Sequence, residues 1–241
     1  MKPRSRLVLV AVVLVCAFLV LLLWPRTMTE PAPTTSPDTT SATAPTPIAD
    51  PIAVFIGDSY TAGFGTTLDG HGFPGILGTL RGWEVINLGI PGIGYATNSD
   101  PSRCPSEGCI DYASAIPRAA SYDPDIVVIS GGRNDVFRNT IEEIEPFVSD
   151  FFHRLRQALP ETYIIVTSPI WDDAVPPTSM AALSNLVERE ASLIDAEFLD
   201  LADPLQAHPE LIAVDGMHPN EAGLQVIAER IDELLGDQPT D

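Results

Sequence analysis

Five short apolar runs, at residues 52–56, 83–88, 125–130, 162–167 and 197–201, alternate with segments of helical period at 141–159, 179–196 and 219–235. Runs of this length, bounded by turn-forming residues, read as buried strands; the longer segments repeat their apolar side chains every three to four residues. Such alternation predicts an α/β domain over residues 51–236, a three-layer α/β/α sandwich around a mostly five-stranded parallel sheet covered on both faces. Pro219 stands at a first-turn position of the last helix, with Asn220 and Glu221 beside it. In sheets of this kind ligands bind beyond the carboxyl ends of the strands. Three segments fall there, GDS at 57–59, GIPG at 89–92 and GGRND at 131–135, so they are expected to share one rim.

The N-terminal region belongs to a different regime. Lys2, Arg4 and Arg6 precede an uninterrupted apolar run at 7–24, which as a helix at ~1.5 Å per residue spans roughly 27 Å, close to a bilayer core. No small-x-small site follows Trp24, where Pro25, Arg26, Thr27 and Met28 stand. The expectation is an uncleaved transmembrane signal-anchor at 7–24, with residues 1–6 cytoplasmic and the rest of the chain extracytoplasmic. Secretion after cleavage is the alternative, because Ala42-Thr43-Ala44 resembles a peptidase site. Between residues 25 and 51 lie seven prolines and eight threonines with almost no large apolar side chains, so the linker at 25–50 is expected to remain a disordered, semi-extended tether. Residues 237–241 form a short polar tail.

Charge excludes whole classes of partner. The 241 residues hold 13 Lys and Arg against 33 Asp and Glu, a formal net charge of −20, and Lys2 is the only lysine. From residue 51 onward 9 arginines face 30 acids. Such a domain repels a phosphate backbone and anionic headgroups, so nucleic acid is excluded as a partner and neutral or cationic ones are expected. Three cysteines without a Cys/His cluster at ligand spacing exclude a disulfide framework and a structural zinc site.

The residues on the expected rim can carry nucleophilic chemistry. A serine hydroxyl attacks a carbonyl only if a base takes its proton, and the base needs a partner that fixes its tautomer. Ser59 supplies the hydroxyl, and Asp215-Gly216-Met217-His218 supplies base and partner within one turn. The developing oxyanion needs several donors aimed at one point. The Ser59 N–H, the Gly92 N–H and the Asn134 amide are the candidates.

In order along the chain stand GDSY with Ser59, NLGIPG ending in Gly92, GGRND with Asn134, and DGMHPN with Asp215 and His218. This set resembles the SGNH, or GDSL-type, hydrolases over most of the domain. The resemblance implies a flavodoxin-like fold and hydrolysis of ester-linked acyl groups, with Ser59 as nucleophile, His218 as general base and Asp215 as its orienting partner. It further implies an oxyanion hole built from Ser59, Gly92 and Asn134, and no cofactor. The expected substrate is an acyl ester of a glycan or lipid. An O-acyltransferase using the same serine with a sugar hydroxyl as acceptor is one alternative, and a non-catalytic surface binding domain is a second.

Two positions depart from the family pattern. Tyr60 replaces the usual Leu, and Arg133 stands before Asn134 where small or uncharged residues are usual. Arg133 is expected either to form a surface ion pair or to lie beside the acyl pocket and contact an acidic or polyhydroxylated substrate; Trp171 is a second candidate for lining the pocket. Cys104 and Cys109, in the loop SRCPSEGC, are expected to form a local disulfide in an exported domain. His71 reads as a loop residue within the Gly-rich DGHGFPG, His153 as structural and His208 as a turn residue; no metal site is expected. Glu142-Glu143-Ile144-Glu145 and Asp172-Asp173 read as solvated faces. A covered parallel sheet needs no partner, so a monomer is expected.

Overall fold

The computed structural model describes residues 49–66, 72–97 and 110–236. Its elements in chain order are β1 (Ile52–Gly57), α1 (Ser59–Ala62), α2 (Gly72–Arg81), β2 (Glu84–Asn87), α3 (Tyr112–Ala120), β3 (Ile126–Ser130), α4 (Arg133–Val136), α5 (Ile141–Ala158), β4 (Tyr163–Thr167), α6 (Thr178–Ser192), β5 (Glu197–Leu199) and α7 (Glu221–Leu235), with a 3₁₀ turn at Pro209–Leu211 before α7. The five strands form one parallel sheet in the order β2-β1-β3-β4-β5. This is the flavodoxin-like order, whose switch point lies between β1 and β3.

The strands read as unbroken apolar runs because both faces of the sheet are covered. Successive side chains point to opposite faces, so Val54 and Ile56, Val127 and Ile129, and Ile164 and Val166 enter one core. Ala53 and Phe55, Ile126 and Val128, and Ile165 enter the other. The first core is closed by Tyr112 and Ile116 of α3, Val148 and Phe151 of α5, and Leu183 and Val187 of α6. The second is closed by Phe73 and Leu77 of α2 and by Leu224, Ile227 and Ile231 of α7. Each fully buried Leu or Ile contributes roughly 1.5–3 kcal/mol, which makes α7, the last element of the domain, the main cover of the second core.

Helix starts follow local chemistry. Asp111 and Thr140 each close a capping box, with Ser114 and Glu143 respectively. Asn220 caps α7 by accepting from Gly223 N–H, so Pro219 precedes the cap instead of occupying the first turn, and it pairs with Ile212 in an isolated antiparallel bridge. His153 is exposed and bonds Gln157 at 2.9 Å; the helical period that turns Phe151, Phe152 and Leu155 inward turns His153 out, which corrects its reading as structural. His208 precedes the 3₁₀ turn, and its ring meets Glu210 at 2.8 Å.

Among the described residues no helix is long and apolar enough to cross a membrane. The segment at 7–24, nearly all of the linker, His71, the Cys104/Cys109 pair and the tail lie outside those residues. Among the described residues no group of three or more His, Cys, Asp or Glu is arranged to hold a metal ion.

Candidate active site

The site grows from the ends of β1 and β3. Strand β1 runs out at Gly57, and Asp58 then caps α1 by accepting from Tyr60 N–H at 3.0 Å, so Ser59 becomes the first helical residue. Asp58 is 1% exposed and its second carboxylate oxygen has no hydrogen-bond partner. Burial raises its pKa to about 6, against the lowering effects of the Tyr60 N–H and the Arg133 charge.

His218 approaches Ser59 from the loop that precedes α7. Its Nε2 is 3.0 Å from Ser59 Oγ, and its Nδ1 is 2.7 Å from Asp215 Oδ2. The other Asp215 oxygen accepts from the Met217 and His218 N–H groups, each at 3.0 Å. These bonds, foremost the His218 N–H and ring, hold the Asp215 carboxyl down at a pKa of about 2. The imidazole is packed by Phe64, with ring centroids 4.8 Å apart, and by the edge of Tyr60 at 5.8 Å. A serine hydroxyl, an imidazole and a carboxylate thus stand in one hydrogen-bonded line that can pass a proton from oxygen to nitrogen.

Gly92 and Asn134 meet at a cavity of about 220 Å³ that Phe137, Arg138 and Met217 also line. Gly92 has φ +81°, a left-handed backbone suited to glycine. Asn134 Nδ2 donates to the Ile93 carbonyl at 2.9 Å, which orients the amide. Beneath them the buried Asp135 carboxylate accepts from the Tyr95, Ala96 and Thr97 N–H groups at 2.9, 2.9 and 2.7 Å. It ties the loop after β2 to α4, and so ties Gly92 to Asn134. Burial pushes the Asp135 carboxyl up while these N–H groups hold it down. Gly94 makes the arrangement possible, since a Cβ there would lie 2.4–2.6 Å from the carboxylate.

Arg133 is not a surface residue. It is 2% exposed, and its Nη2 pairs with Asp172 Oδ2 at 3.0 Å. Its Nη1 donates to Tyr60 Oη and, at 3.4 Å, to the Met217 carbonyl. The guanidinium lies over Trp171 and Tyr60, 4.6 and 4.8 Å from the ring centroids. Asp172 is accordingly a partner in a buried pair, its side chain 13% exposed, and not a solvated acid. Trp171 is 8% exposed and stacks, tilted, on Phe137 at 5.2 Å; Phe137, 55% exposed, lines the cavity. Sequence reasoning missed Tyr60, Asp135, Phe137 and Met217 as parts of the site. The coincidence of Tyr60 and Arg133, two departures from one family pattern in one chain, was the available signal.

Residues 55–226 match the sequence model of the GDSL-like Lipase/Acylhydrolase family. The GDSL lipase Rv0518 of Mycobacterium tuberculosis (strain ATCC 25618 / H37Rv) is 31% identical over 196 residues, covering 77% of this chain and 81% of that one. Among solved structures, a catalytic mutant of Axe2, an acetylxylan esterase from Geobacillus stearothermophilus, superposes with a TM-score of 0.59 at 20% identity, covering 79% of this chain and 97% of that one. The aryl esterase of M. smegmatis gives 0.54 at 22% identity, covering 76% and 99%. The chain belongs to the GDSL-like lipase/acylhydrolase family and is a carboxylic ester hydrolase.

Proposed function

We propose that this protein is a membrane-anchored, extracytoplasmic serine esterase that hydrolyses acyl esters of glycans or lipids through an acyl-enzyme on Ser59. The observation that carries the reading is the line Asp215–His218–Ser59, with contacts of 2.7 and 3.0 Å. His218 Nε2 takes the Ser59 proton as Oγ bonds the carbonyl carbon. The Gly92 N–H, the Ser59 N–H and the Asn134 amide receive the oxyanion. Collapse expels the alcohol, which takes the proton from His218; water then repeats the sequence and releases the acid. Asp215, with its pKa held at about 2, stays ionised throughout and stabilises the imidazolium. The anchor rests on the apolar run at 7–24 and its basic flank, and the outward tether supports a substrate near the cell surface.

The test is hydrolysis of p-nitrophenyl acetate and octanoate by the full chain in detergent, beside Ser59→Ala. Turnover lost in the variant supports the mechanism, and turnover retained overturns it. Adding a sugar alcohol and analysing products separates hydrolysis from acyl transfer.

A further inference from the structure

We propose that Tyr60 and Arg133 form a clasp that holds the peptide linking Met217 to His218, and thereby sets where the imidazole stands relative to Ser59. The inference rests on the active-site reading above and assigns two positioning residues to it.

The argument begins with the weakness of the loop. Val214 is fully exposed, Asp215 and Gly216 are exposed, and Met217 is 44% exposed, so apolar packing does little to fix the segment that delivers the base. Polar bonds do so instead. The N–H of the 217–218 peptide donates to Asp215 Oδ1 at 3.0 Å. The carbonyl of that same peptide accepts from the Tyr60 hydroxyl at 2.5 Å and from Arg133 Nη1 at 3.4 Å. Both edges of the peptide plane are held, which fixes the Cα of His218.

Arg133 also decides which way the Tyr60 proton points. A guanidinium only donates, so with Arg133 donating to Tyr60 Oη the single phenolic proton is free to go to the Met217 carbonyl. Arg133 is itself immobilised by Asp172 and by Trp171. Tyr60 is the residue after the nucleophile and Arg133 the residue before the oxyanion candidate Asn134. One buried pair therefore indexes base, nucleophile and oxyanion donor against each other. A hydroxyl on a ring supplies a bond that the Leu usual at position 60 cannot make, so the two departures from the family pattern form one device.

The test uses the full chain with p-nitrophenyl acetate and a fluorophosphonate that labels Ser59. Tyr60→Phe keeps the ring against His218 and removes only the hydroxyl. It is expected to lower kcat and the labelling rate together by roughly ten- to a hundredfold, with KM within about twofold and little change in melting temperature. Arg133→Lys keeps the charge beside Asp172 and loses the fork; it is expected to lower kcat similarly. The double variant should lose no more than the worse single, because both act through one carbonyl. A Tyr60→Phe enzyme with kcat within twofold of wild type, or losses that multiply in the double variant, would overturn the clasp. If Arg133→Lys does not fold, Tyr60→Phe decides alone. Wild-type turnover that does not depend on Ser59 would instead overturn the active-site reading, and the clasp's role with it.

Discussion

His218 Nε2 stands 3.0 Å from Ser59 Oγ across 159 positions of chain, beyond the carboxyl end of β1. Removing either partner ends proton transfer without opening the core. Ser59→Ala and His218→Ala are each expected to reduce kcat by at least about a thousandfold, with thermal melting within a few degrees of wild type. A His218→Ala enzyme retaining a tenth of its rate on p-nitrophenyl acetate would contradict the assignment.

Asp215 bears on the shape of the pH profile. Its pKa is lowered to about 2 from 3.8, so its stabilising contribution is present above pH 3.8 and is lost as pH falls through 2. From pH 4 upward it therefore remains an anion, so acidification to that point does not neutralise the carboxylate. Asp215→Asn is expected to lower kcat at least about a hundredfold at every pH from 6 to 9; recovery at high pH would show that the carboxylate is not needed.

Asp58 runs the opposite way. Its pKa is raised to about 6, so its contribution to stability is full below 3.8 and is lost as pH rises through 6. At pH 8 the buried anion costs on the order of 3 kcal/mol, at 1.36 kcal/mol per pKa unit. Asp58→Asn preserves the cap bond to Tyr60 N–H and removes the charge. The expected result is a higher melting temperature than wild type at pH 8 and a gap that closes between pH 7 and 4, read by calorimetry. A gap independent of pH would refute the account.

Asp135 and Gly94 form the support under Gly92 and Asn134, the proposed oxyanion donors. Asp135→Asn places an amide N–H₂ against backbone donors, and leaving a buried donor unsatisfied costs roughly 1–3 kcal/mol. Gly94→Ala forces a Cβ into the carboxylate. Both are expected to lower stability in urea titrations and to reduce kcat, since the loop that carries Gly92 loses its tie to α4. Unchanged kcat in both variants would show that this tie does not position the donors.

The parts of the fold that were legible in sequence are those with a period or a boundary. All five strands lie within or near their apolar runs because each is buried on both faces, and α5, α6 and α7 show their helical repeat. Helix α2 was hidden by Gly72, Gly75, Gly78 and Pro74, weak helix formers that tertiary packing of Phe73 and Leu77 overrides. Helix α3 is nine residues long and contains Pro117. Ser59, Gly92 and Asn134 stood out because they follow strand ends, and Asp215 and His218 because their motif completes a known order. Their support did not, because it is assembled from distant segments: Tyr60 reaches Met217 across 157 positions and Arg133 across 84. No local pattern encodes such a meeting.

The position of α7 as cover of the second core also orders events in time. Ser59, the proposed nucleophile, lies in the first fifteen residues of the domain, while His218 enters the last loop, just ahead of the helix whose Leu224, Ile227 and Ile231 close the core over Phe55. A chain made from its N-terminus exposes a serine with no base beside it until almost the whole domain has left the ribosome. On the proposed mechanism the newborn protein is inert toward esters during synthesis and gains its chemistry in the same step that completes its fold.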